Sequence, residues 1–227
     1  MDAEASDIHL KIGNPPIYRL DGQLYTADAP PVTEEHLDEL IDTMLNERAR
    51  ATFEKNMEVD FAWNLNDQTR FRVNLFHSGG ERTLVMRYVK NAVQTFESLN
   101  LPPELGKTAM LRRGIVLLSG TTGCGKSTTL GAMVNYINNR EFRRIITVED
   151  PIEYLFQDNK SVISQREVEF DTATFQTGLR AAMRQDPDVI MVGEIRDRNS
   201  VETAITAAEP GHLIFSTVHA ESSVQGV

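Results

Sequence analysis

Ile115-Val116-Leu117-Leu118-Ser119-Gly120-Thr121-Thr122-Gly123-Cys124-Gly125-Lys126-Ser127 is the stretch that decides the fold. It opens as an apolar run of strand length. From Gly120 to Ser127 it then fits G-x-x-x-x-G-K-[ST] at every fixed position. Such glycines let the backbone turn tightly, so that its N–H groups converge on phosphate oxygens. Lys126 brings a point charge to the β- and γ-phosphates, and the Ser127 hydroxyl can ligate Mg²⁺. A helix starting here adds its positive end to the cradle. A chance match in a chain this long is expected about once in a hundred, and this one lies between a strand and a helical stretch. Gly120, Thr121, Thr122, Gly123, Cys124, Gly125, Lys126, Ser127 and Thr128 are therefore the expected nucleotide-binding residues, with ATP and Mg²⁺ as cofactors. Cys124 stands at a variable position of the loop and reads as a small tolerated side chain.

Outward from the loop, further apolar runs at 145–148, 189–192 and 213–215 are separated by helical stretches. Runs without alternation indicate strands buried on both faces, as in a parallel sheet covered by helices. The first half reads differently. Short alternating runs at 8–12 and 17–20 are punctuated by Asn14-Pro15-Pro16 and Asp21-Gly22, as antiparallel strands joined by turns would be. Thr33 opens a helix expected to run through about Arg50, with Leu37, Leu40, Ile41, Met44 and Leu45 at helical spacing. Alternation returns at 59–63, 70–76 and 83–89. The expected fold is α/β: a small α+β domain over 1–90, a linker over 91–106 around Pro102-Pro103, and a nucleotide-binding core over 107–227.

P-loop hydrolases need a carboxylate at the end of a neighbouring strand. Asp186-Pro187-Asp188 leads into an apolar strand that ends in Gly193-Glu194, which makes Glu194 the clearest candidate for a Walker B acid and Mg²⁺ contact. A second acidic group follows 145–148, in Glu149-Asp150-Pro151-Ile152-Glu153, on a strand expected to neighbour the P-loop strand. Glu153 or Glu149 could polarise an attacking water, and spacing does not choose between them. His212 and His219 bracket the last apolar strand, His219 at its C-terminal end. Arg70, Arg72 and Arg87 lie on strands of the first domain, where an arginine given across a subunit interface could neutralise transition-state charge.

Composition narrows the classes. The 227 residues carry a formal net charge of -10, which argues against nucleic acid as the main partner. A single cysteine excludes an internal disulfide. No apolar run reaches membrane-spanning length, and Met1-Asp2-Ala3-Glu4 lacks the character of a secretory signal, so a cytoplasmic protein is expected.

The acidic segment 146–153, the Walker B run 186–194 with Ile195-Arg196-Asp197, and the segment from Ala207-Ala208-Glu209-Pro210-Gly211-His212 to His219-Ala220 follow the P-loop in a known order. With Ser6-Asp7-Ile8-His9-Leu10 at the front, the chain resembles the secretion-type ATPases of type II secretion and type IV pilus machines, within them the PilT-type retraction motors. The resemblance implies a PAS-like N-terminal domain, a RecA-like core and a homohexameric ring with the ATP site between the two domains. It also implies arginines contributed by the N-terminal domain. It favours Glu153 as catalytic base, Glu194 as Walker B acid and His219 as the His-box residue. It further implies an ATP-hydrolysing motor, peripheral at the cytoplasmic face of the inner membrane and docked on a pilus or secretion platform protein. A type II secretion ATPase, or a nucleotide-binding regulatory subunit without turnover, are the alternatives. Pro210 departs from the Thr usual in the family. A stop at Val227, just after the His box, and a short start before Ser6 lead to the expectation of a fragment with an incomplete core.

Overall fold

The computed structural model describes residues 5–66, 69–89, 93–195, 198–208 and 211–219. The chain divides into two compact units, Met1–Val89 and Lys90–Val227.

The first unit is built on β1 (Asp7–Lys11), β2 (Ile17–Leu20), β3 (Gln23–Thr26), α1 (Glu34–Met44), α2 (Glu47–Asn56), β4 (Glu58–Asn66), β5 (Thr69–Ser78) and β6 (Glu81–Val89). Its strands form one antiparallel sheet in the order β3-β2-β1-β6-β5-β4. Strand alternation puts Phe61, Val73, Leu75, Leu84 and Met86 on one face, and all five are buried. Leu37, Ile41 and Met44 supply the buried side of α1. The single helix expected from Thr33 to Arg50 is two. Thr33 caps α1 by accepting from the His36 N–H, and the chain leaves the helix at Leu45. Asn46 then accepts from the Ala49 N–H at 2.9 Å and starts α2.

The second unit contains α3 (Leu105–Ala109), β7 (Gly114–Gly120), α4 (Lys126–Asn138), β8 (Arg144–Glu149), β9 (Val162–Glu167), α5 (Phe175–Ala182), β10 (Val189–Val192), α6 (Arg198–Ala208) and β11 (Leu213–His219). All five strands are parallel, in the order β7-β11-β10-β8-β9. Leu130, Met133, Val134 and Ile137 recur at helical spacing on α4 and pack with Ile145, Val189, Met191, Leu213 and Phe215 on one face of the sheet. Leu179 and Ala182 of α5, with Ala204 and Ala207 of α6, cover Ile146, Ile190 and Ile214 on the other. Each fully buried aliphatic chain here contributes roughly 1.5–3 kcal/mol.

Two expectations need correction. The strand carrying Glu149 does not neighbour the P-loop strand, because β11 and β10 lie between them. β7 is not buried on both faces either: Ile115 and Leu117 are 36% and 45% exposed, because β7 stands at the end of the strand order. β9 had no counterpart among the expected strands. Residues before β7 pack onto this unit as well, with Phe96 buried in its core beside Leu99, Leu101 and Leu105.

Candidate nucleotide site

Strand β7 delivers the phosphate loop and α4 receives it. Gly123 and Gly125 have φ of +80° and +93°, the left-handed region in which a side chain would be strained. Gly125 occupies the position just before α4, so Lys126 and Ser127 stand in the first turn of the helix. Lys126 Nζ folds back over the loop and donates to the carbonyls of Gly120 and Thr121, both at 2.8 Å. Thr129 anchors the turn by donating from its hydroxyl to the Gly125 carbonyl at 2.9 Å.

A cavity of about 450 Å³ opens beside this loop. Thr122, Gly123, Gly125, Lys126, Ser127 and Thr128 line one side of it, and Glu149, Asp150, Glu153, Gly193, Glu194 and Thr217 line another. The C-terminal ends of β8, β10 and β11 thus meet the loop in one crevice, where open parallel sheets place their ligands. Gly120, Thr121 and Cys124 belong to the loop but not to the cavity wall. Cys124 is an exposed free thiol.

The carboxylates differ in setting. Glu149 is buried, and desolvation pushes its pKa up to about 7. Hydrogen bonds from Thr147 Oγ1 (2.6 Å), from Gln165 Nε2 (3.2 Å) and from the Glu153 backbone oppose that rise, while the Glu153 charge adds to it. Glu153 is exposed on the cavity wall, and Glu194 is buried on it. Tyr154 lies against the loop helix, its hydroxyl 2.9 Å from Thr128 Oγ1 and its ring 3.5 Å from where a Cβ on Gly131 would stand. Among the described residues no cluster of three or more His, Cys, Asp or Glu could hold a metal by itself. A Ser hydroxyl and a carboxylate lining the same cavity suit Mg²⁺, which takes one or two protein oxygens and completes its shell with phosphates and water.

His219 ends β11 in register with Gly120; its side chain lies outside the described residues, as do Arg196, Asp197, Glu209, Pro210 and Ala220. His212 donates from Nδ1 to the Ala207 carbonyl at 2.7 Å, closing the end of α6. The three arginines sit on the first unit's sheet. Arg72 stands opposite Arg87 across β5 and β6, and Arg70 opposite Val89. Arg87 Nε donates to buried Asp7 at 2.7 Å, and Arg72 lies 3.8 Å from Asp60. Burial raises the pKa of Asp7, but hydrogen bonds from Arg87 and Ser6, helped by the charges of Arg87 and Arg19, hold it below the usual carboxylate range.

Sequence reasoning missed Thr147, Gln165 and Thr217, polar residues inside or beside apolar strands. Only Tyr154, adjacent to the acidic run, carried a signal that could have been read.

The sequence profile of the type II/IV secretion system protein family matches residues 1–227. The chain is 41% identical over 223 residues to the type IV pilus retractation ATPase PilT of Pseudomonas aeruginosa, covering 98% of this chain and 65% of that protein. It is 42% identical over 212 residues to a twitching motility protein of Neisseria gonorrhoeae, covering 93% of this chain and 57% of that one. It therefore spans less than two thirds of the length of either relative. Its fold is similar to a crystal structure of the pilus retraction motor PilT with bound ADP, at TM-score 0.90 and 44% identity, covering 96% of this chain and 64% of the other. On this evidence of sequence and fold together, the chain belongs to the type II/IV secretion system protein family.

Proposed function

We propose that this chain binds Mg-ATP in the cavity beside the phosphate loop and hydrolyses it as a motor subunit of a type IV pilus machine, powering pilus retraction. The observation that carries the reading is the convergence of Lys126 and Ser127 with Glu149, Glu153 and Glu194 on one cavity. Loop N–H groups and Lys126 hold the β- and γ-phosphates, Lys126 exchanging its two carbonyl contacts for phosphate oxygens. Ser127 and Glu194 would hold Mg²⁺, which would supply positive charge against the phosphates. Glu153 is exposed to the cavity and accepts a proton from the attacking water. The water oxygen bonds to the γ-phosphorus as the bond to the β,γ-bridging oxygen breaks, leaving ADP and phosphate. His219, on the strand in register with the loop, reports the state of the γ-phosphate.

The same reading makes the working form a homohexameric ring, with Arg70, Arg72 and Arg87 candidates for contacts across subunits. Its docking partner is an inner-membrane platform protein on the cytoplasmic side, and the charge of -10 disfavours nucleic acid as cargo. Among the described residues no helix is long and apolar enough to cross a membrane.

The test is ATP hydrolysis by the purified chain across protein concentrations, beside Lys126→Ala. Turnover per subunit should rise with concentration and fall at least about 100-fold in the variant, since the main phosphate-binding charge is gone. Tight Mg-ATP binding without turnover at any concentration would contradict a catalytic reading of this chain.

A further inference from the structure

Resting on the hydrolytic reading, a further assignment concerns a residue outside every motif. The acidic segment that follows β8 is held from β9. Gln165 accepts at Oε1 from the Phe156 N–H at 2.8 Å, and donates from Nε2 to the Tyr154 carbonyl at 2.8 Å. The same Nε2 lies 3.2 Å from Glu149 Oε1. One β9 side chain thus bonds the segment on both sides of Leu155 and touches the buried carboxylate at the start of the acidic run. Two residues along, Glu167 accepts from the Ile152 N–H at 3.4 Å. On its far side the segment is tied to the loop helix through the Tyr154–Thr128 contact.

Register explains why Gln165 can do this. It pairs with Thr147 on β8, so Gln165, Thr147, Glu149 and Glu167 share one sheet face, the one that packs on α4. The amide is half-buried with both ends satisfied, so each lost bond would leave a partly desolvated polar group without its partner. Glu153 sits between the Ile152 and Tyr154 anchors, so its place on the cavity wall is set by how firmly β9 grips the segment.

We infer that Gln165 is a positioning residue for hydrolysis: it fixes the acidic segment so that Glu153 meets the attacking water, and contributes little to nucleotide binding. Gln165→Met keeps length and shape and removes all three bonds, while Gln165→Glu keeps the acceptor for the Phe156 N–H and loses both donations. Ser164→Ala serves as control on the same strand, because Ser164 accepts from Arg144 instead of meeting the acidic segment.

The experiment measures kcat for ATP and the Kd of ADP for the wild type and these variants at a protein concentration where the wild type turns over. The expected result is a kcat lower by about 10- to 100-fold for both Gln165 variants, the cost of a misplaced reacting group. ADP Kd should stay within about 3-fold, and Ser164→Ala should match the wild type in both. Unchanged kcat in Gln165→Met would overturn the inference and leave the hydrolytic reading standing. Equal losses in ADP binding and kcat would overturn it too, by showing a merely structural role. If Gln165→Met fails to fold, Gln165→Glu decides by the same two readouts. A wild type that binds ADP but never turns over would overturn the hydrolytic reading, and this inference with it.

Discussion

Glu149 shows how one side chain ties site and stability together. It is 6% exposed and titrates near 7 in the folded chain, against an ordinary 4.5. Burial disfavours the carboxylate, so between those values the unfolded chain gives up the proton while the folded one keeps it. The stability associated with this group is complete below pH 4.5 and is lost as pH rises through 7, by about 3 kcal/mol. Glu149→Gln removes the titration without changing the size of the side chain. Denaturant unfolding of the variant should therefore decline less than the wild type between pH 5 and 8, and parallel curves would refute the account. Four residues apart on the same cavity, the Glu149 side chain is buried beside Gln165 and that of Glu153 is exposed.

At the scale of elements, packing against β8 limits what α5 tolerates. An added Cβ at Gly178 would lie 2.7 Å from Val148 Cγ1 and 3.0 Å from Thr172 Cγ2, and Val148 is fully buried. Alanine gains about 1 kcal/mol of helix propensity there. Overpacking against a stiff β-branched neighbour costs about 1–3 kcal/mol. The clash outweighs the gain, so Gly178→Ala should lower stability by up to about 2 kcal/mol in a urea melt; a stabilised variant would show that the strand yields. The same elements mark where the sequence could be read. The apolar runs of β8, β10 and β11 and the loop from Gly120 to Ser127 were legible because burial on both faces and a fixed glycine spacing leave little choice. β9 was not, since Gln165 and Glu167 put polar side chains on the face that packs toward α4, and alternation gives no warning of a strand that serves a site. The break after Met44 was hidden because Leu45 continues the apolar spacing of α1 although its backbone is extended, and Asn46 then caps a new helix by accepting from the Ala49 N–H. Strand order lies beyond periodicity altogether: nothing in the run 145–148 says that two later strands will insert between it and β7.

For the whole molecule, ligand binding and unfolding are linked. A nucleotide bound only by the folded chain at about 100 times its Kd adds roughly 2.7 kcal/mol of stability. Mg-ADP should raise Tm accordingly, and the rise should disappear in Lys126→Ala; an equal rise in both would place the nucleotide elsewhere. The pairing of β7 with β11 has a mechanical consequence. Seven rungs, from Gly114–Leu213 to Gly120–His219, run in register up to the phosphate loop. A slip of one residue would turn every side chain of one strand to the opposite face, so the pairing is held in a single register. On the hydrolytic reading, a shift of the phosphate loop is therefore passed to β11 along a ladder that cannot slide, and the last rung is the one that pairs Gly120 with His219.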